Sequence, residues 1–326
     1  MNTQYQKLKG VLGDKVKENE PLATYTTFKI GGPADLFYDA KTIEELVAAV
    51  GASRKLGIPV WVLGGGSNIL IGDKGIRGFV VKNSTSRIFI RGMKGTLKGG
   101  EARGNVYVEA DSGVTMNKLV RFTAEEGFAG LEMHLGLPGT VGGAIYMNSK
   151  WTHPEGYVGD AVYQAEILTP NNEQRTVAKP YFQFGYDTSS VQKTGDIVVR
   201  VVFRLRQGEK STLWDAANAA IAYRRQTQPQ GVFSPGCTFR NISKAQAITA
   251  ATPEATTSAG FLIDHAGLKG VSIGRAQISP VHANFIINRG GARAWDVIQL
   301  ITRAKEQVKR QFRVMLEEEI VRVGEF

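Results

Sequence analysis

VLGGGSNIL (residues 62–70) and LEMHLGLPGTVGGAIYMN (residues 131–148) are the stretches whose reading decides the fold. In the first, an apolar strand over residues 58–63 runs into Gly64, Gly65, Gly66, Ser67 and Asn68. Without Cβ atoms, the backbone N–H groups of such a loop can converge on an anion. A strand-end turn would look the same, and Ile69 stands where GxGxxG requires its third glycine, so this is no Rossmann fingerprint. The second stretch repeats the pattern with Gly136, Pro138, Gly139, Thr140, Gly142 and Gly143, and it is too rich in glycine to predict a helix. Two such loops say more than one. Together they point to a dinucleotide whose pyrophosphate is held by backbone amides, with Thr140 and Asn148 as side-chain donors.

Outward from these loops, residues 42–56 predict a helix opened by a capping box, Thr42 with Glu45. Residues 26–37 (TTFKIGGPADLF) predict a short strand broken at Gly31-Gly32-Pro33, and residues 78–81 another strand. A hairpin excursion over 87–104 precedes a strand at 106–110 and a helix at 116–126, and the β-branched run at 197–205 is a strand. A polar link at 207–210 leads into an Ala-rich helix at 212–225, and a last helix covers 294–312. Alternating strands and helices indicate α/β subdomains. The expected division is 1–90 and 91–207 for the two cofactor subdomains and 208–326 for a substrate domain.

The 326 residues carry 40 Lys+Arg against 30 Asp+Glu, a formal charge of +10, which favours an anionic partner. The basic residues are scattered, with no zinc-ligand spacing and no recognition-helix pattern, so no nucleic-acid partner is predicted. One cysteine, Cys237, excludes an internal disulfide and suits a reducing compartment. A polar N-terminus and the lack of a long apolar run predict a cytoplasmic protein with no membrane partner. His134 and His153 read as loop or surface residues, His265 and His282 lie in longer motifs, and no histidine is spaced for a metal.

TFKIGGPAD, VLGGGSNIL and GLPGTVGGAIYMN, followed by SPGCTFRN (234–241), AGFLIDHAGLKG (259–270), ISPVHANFIIN (278–288) and LEEEIVRVG (316–324), resemble in order and spacing the bacterial UDP-N-acetylenolpyruvoylglucosamine reductase family, shorter subtype. The resemblance covers residue 21 to the C-terminus. It implies an α+β fold of the vanillyl-alcohol-oxidase or PCMH type, two α/β subdomains around FAD and a C-terminal α/β substrate domain. It also implies that NADPH reduces the flavin, which reduces UDP-N-acetylglucosamine enolpyruvate to UDP-N-acetylmuramate for peptidoglycan. Cys237 takes the position of the family's proton donor. Glu319 takes that of its C-terminal glutamate, with Glu318 the alternative. Arg225, with Arg224 as fallback, matches the basic residue for the UDP phosphates, Asn241 the substrate asparagine, and Tyr186 falls in the substrate loop.

One position departs from the pattern. Phe184-Gly185-Tyr186 is followed by Asp187 where the family usually carries an arginine. A carboxylate cannot neutralise a forming enolate and would cost about 1–4 kcal/mol beside one. Another cation (Arg224, Arg240, Lys150 or Lys193), a shifted loop or weakened activity would each answer this. The rival readings are another FAD-linked oxidoreductase of the superfamily, or a sugar-nucleotide binder that has lost its chemistry.

Overall fold

The computed structural model describes residues 3–98 and 101–326. The chain forms two compact units, each from several segments: Met1–Lys17, Phe37–Gly65 and Phe79–Arg224 in the first, Glu18–Leu36, Gly66–Gly78 and Arg225–Phe326 in the second.

The first unit is organised by an antiparallel sheet with the order Gln174–Ala178, Val162–Leu168, Ile197–Gln207, Glu101–Asp111, Ile88–Lys98. Of the expected excursion at 87–104, residues 99 and 100 lie outside the described residues, and the rest pairs antiparallel as Ile88–Lys98 with Glu101–Asp111. Register explains the core. Val201 faces Ala110, Phe203 faces Val108 and Leu205 faces Val106, so alternate side chains fall on one face and are buried there. Met116, Leu119 and Val120 of the helix Met116–Glu125 pack on that face, together with Ala217, Trp214 and Ile221 of the helix Lys210–Thr227. The Ala-rich helix that follows the polar link at 207–210 is therefore part of the first unit's core up to Arg224. The helix Ile43–Lys55 starts at Thr42, whose Oγ1 accepts from Glu45 N at 3.2 Å, while the Glu45 carboxylate reaches back to Lys41 N at 2.7 Å. Beside it, Val60–Leu63 pairs parallel with Ile76–Asn83, Val60 opposite Phe79 and Leu63 opposite Lys82.

In the second unit the helices Ala259–His265 and Ala294–Phe312 share a core with the small sheet Ser272–Ile273, Ala276–Ile278, Ile286–Asn288. Residues 66–78 belong here because Ile69–Ile71 pairs parallel with Val321–Val323, and Asp73 caps the long helix, accepting from Ala294 N at 2.8 Å and Trp295 N at 3.1 Å.

Three expectations are corrected. Residues 26–32 are not strand: Thr26 Oγ1 donates to Ala23 O and Ile30 O, closing a turn around buried Phe28, and the strand Pro33–Ala40 begins only after Gly32. The glycine-rich stretch does contain a helix, Val141–Met147. Its tertiary setting overrides weak propensity, since Gly142 N bonds Ser112 O at 2.8 Å and a Cβ on Gly142 would lie 3.1 Å from Ser112 Cβ. His134 is no surface residue but 1 % exposed.

Candidate active site

The two Gly-rich loops meet inside the first unit. A Cβ on Gly64 would lie 2.5 Å from Thr140 Oγ1, and one on Gly65 2.6 Å from Gly139 Cα. Glycine is needed there first for one loop to rest on the other. Thr140 is buried opposite Thr115, and Val141 N donates to Val114 O at 2.8 Å, so the amides of Val141 and Gly142 are committed to the fold and an anion would be met by others. Gly136 N bonds Asn117 Oδ1 at 2.7 Å, and Pro138 is exposed at the crest of the loop. Lys82 Nζ donates to Gly64 O at 2.7 Å; burial pushes its pKa down, partly offset by Asp39. A rigid glycine cradle with an ammonium beside it fits a backbone-bound dinucleotide. Lys82 carried no motif in the sequence and is found only through this contact.

Beyond Gly65 the same loop continues in the second unit. Gly66 has φ +61° and its carbonyl accepts from Thr27 N at 3.1 Å, and Ser67 is half-buried. Asn68 Nδ2 donates to Glu319 O at 3.1 Å while Asn68 O accepts from Val321 N at 2.9 Å. Asn148, expected at a phosphate, holds protein instead. Its Nδ2 donates to Gly185 O at 2.9 Å and its Oδ1 accepts from Gly159 N at 3.1 Å, with the residue 3 % exposed.

That bond pins the Tyr186 loop. Lys150 Nζ lies 3.8 Å over the Tyr186 ring, and Asp187 is buried at φ +52°, its carbonyl accepting from Gln192 Nε2 at 3.0 Å. Nearby Tyr157 has its pKa pushed up to about 12 by burial, then by its hydrogen bond to Glu155 and the charges of Glu155, Asp187 and Asp160. The Arg224 guanidinium lies 4.6 Å over Trp151, which also meets the Tyr223 ring edge-on. Burial and the Arg224 charge press the His134 pKa down to about 4. Arg225 is the first residue of the second unit's last segment.

The second unit gathers three distant motifs around one extended segment, residues 237–240. Cys237 bridges Phe285, Thr238 N bonds Asn284 O at 2.7 Å, and Asn284 clasps Phe239 with Oδ1 on its N–H and Nδ2 on its carbonyl. On the other edge Thr238 O accepts from Glu319 N at 2.8 Å and Arg240 N donates to Glu317 O at 2.9 Å. Half-buried Cys237 and Glu319 are thus carried on one small backbone ladder. Geometry separates the acidic triplet: Glu317 is exposed, and Glu318 is bound by Lys305 and by Arg322 Nε at 2.7 Å, the two hydrogen bonds that lower its pKa against the burial that raises it. Asn241 is exposed and its Oδ1 accepts from Ala259 N at 3.1 Å, tying the motif to the start of the helix Ala259–His265. His282 and His265 pack on Phe285 and Phe261. Among the described residues no group of three His, Cys, Asp or Glu side chains could hold a metal, and no helix is long and apolar enough to cross a membrane.

Residues 228–323 match the model of the UDP-N-acetylenolpyruvoylglucosamine reductase C-terminal domain and residues 34–178 that of an FAD binding domain. A UDP-N-acetylenolpyruvoylglucosamine reductase from Halalkalibacterium halodurans is 36% identical over 325 residues, 100% of both chains. The chain belongs to this reductase family. A second relative, from Desulfosudis oleivorans, is 35% identical over 98% of each chain. Among solved structures, the reductase from Thermus caldophilus is 33% identical, with TM-score 0.72 over 94% of this chain and 98% of that one. A VAO-type flavoprotein from Myceliophthora thermophila, 10% identical with TM-score 0.57 over 95% and 85% of the two chains, shares the fold. The α+β architecture and the FAD-binding domain are those expected of a reductase of this family.

Proposed function

We propose that the protein is an NADPH-dependent FAD enzyme that reduces UDP-N-acetylglucosamine enolpyruvate to UDP-N-acetylmuramate, a cytoplasmic step of peptidoglycan precursor synthesis. The observation that supports it best is the ladder joining residues 237–240 to Asn284 and to residues 317–319, which sets the only cysteine and a half-buried glutamate on adjoining strands. In this reading residues 1–90 and 91–207 hold the cofactor and 208–326 the substrate. The loops at 64–68 and 136–143 hold the pyrophosphate. FAD supplies the relay of hydride from NADPH to the enolpyruvyl double bond.

An enol ether is electron-rich, so its carboxylate must take up charge as hydride arrives, and cations must face it. Cys237 Sγ then gives its proton to the carbon bearing the ether oxygen. A thiol releases a proton more readily than an alcohol. Glu319, its backbone fixed by Thr238 and Asn68, acts as a proton-bearing carboxyl that donates to the intermediate, because an ionised carboxylate would oppose the forming charge. Arg225 serves the UDP phosphates, and Arg240, Tyr186 and Asn241 the rest of the sugar nucleotide, with Arg224 held ready beside Trp151.

The test is spectral. The purified protein, supplied with FAD, is expected to show bound-flavin absorbance that NADPH bleaches without air and the enolpyruvyl sugar restores. A protein that takes up no flavin, or whose reduced flavin ignores that sugar, sinks the reading.

A further inference from the structure

We propose that Lys150 is the cation that meets the carboxylate of the enolpyruvyl group, an inference that rests on the function proposed above. Its ammonium lies 3.8 Å over the Tyr186 ring, and among the described residues no carboxylate forms an ion pair with it. An aromatic face compensates part of the cost of half-burying a charge and leaves the N–H donors to an incoming anion. The platform beneath is rigid. Asn148 holds Gly185 O at 2.9 Å, Gly185 bridges Thr188, and Gln192 holds Asp187 O, while Lys150 is fixed in a strand with Tyr157 as its register partner. The neighbouring cations are placed otherwise: Arg224 lies over Trp151 and Lys193 is exposed on the short helix Val191–Thr194. Lys150 is thus a preorganised ammonium beside the one loop position where Asp187, a carboxylate, cannot supply positive charge.

The experiment compares the parent with Lys150→Met and Lys150→Arg in each half-reaction. Flavin reduction by NADPH is expected to stay within twofold in both variants. Flavin reoxidation by the enolpyruvyl sugar is expected to slow about a hundredfold or more in Lys150→Met and to recover most of the loss in Lys150→Arg, in line with the usual effect of deleting one transition-state charge partner. Binding gives a second readout that a structural role would not move. Lys150→Met should weaken affinity for the enolpyruvyl sugar while leaving that for UDP-N-acetylglucosamine, which lacks the carboxylate, unchanged. Equal weakening toward both ligands, or reoxidation at the parent rate, overturns the assignment alone. A parent that is not reoxidised by the enolpyruvyl sugar overturns the function and this inference together.

Discussion

Cys237 shows what one residue can and cannot reveal by itself. As a lone half-buried thiol it would pass for packing, but its backbone is bridged to Phe285 and its neighbour Thr238 to Glu319. Such a ladder fixes the backbone that carries the thiol. Cys237→Ala is therefore expected to lose about 10²–10⁴-fold in the reoxidation half-reaction, the usual worth of positioned proton transfer, while Cys237→Ser keeps appreciable activity and flavin reduction hardly changes in either. Stopped-flow measurement of the two half-reactions checks this, and an Ala variant reoxidised at the parent rate would mean the thiol only packs. Sequence left Glu318 and Glu319 as alternatives because both are carboxylates in one run. The structure distinguishes them by the two cations, Lys305 and Arg322, that engage Glu318.

At the scale of elements, the glycine loops have a packing job that their sequence does not announce. Besides any close approach to phosphate, glycine lets loop rest on loop, Gly65 on Gly139 and Gly64 on Thr140. Gly65→Ala should then cost about 1–3 kcal/mol of stability, because its Cβ would meet backbone that cannot swing aside, and should lower the flavin-to-protein ratio. Gly142→Ala, whose Cβ would stop 3.1 Å from Ser112 Cβ, should cost less. Denaturant titration of both variants gives the ranking, and an unaltered Gly65→Ala would contradict the packing. Continuing past Gly65, Asn68 and the strand Ile69–Ile71 bond to residues 319–323, so the glycine-rich loop and the acidic segment share hydrogen bonds across some 250 residues of chain. No spacing rule in the sequence announces a parallel pair that distant.

For the whole molecule, His134 links the first unit's stability to pH. Folded, its pKa is about 4, held down by burial and then by Arg224; unfolded, it returns to about 6.5. Between those values the unfolded chain binds the proton and the native chain does not, so stability rises with pH there and is lost as the solution is acidified. Between pH 7 and 5 this one group should withdraw about 2 kcal/mol. His134→Met, which cannot titrate, is expected to flatten that part of the curve in urea titrations at the two pH values; an unchanged slope would mean that His134 takes up its proton alike in the native and unfolded chains.

Local pattern alone determined much of this protein. Apolar periodicity and caps placed the helices Ile43–Lys55, Met116–Glu125 and Ala294–Phe312 and the strand Ile197–Gln207, because short-range sterics and hydrogen bonds suffice for them. The motifs sufficed for the family as well. Tertiary structure alone decided that Glu318 is engaged by Lys305 and Arg322, that the glycine-rich run closes into the helix Val141–Met147, that Asn148 serves the Tyr186 loop, and that residues 66–78 fold with the C-terminal strand. Each of these depends on a partner far away in sequence, and the free energy that selects it comes from burial and pairing across that distance, which no local window contains.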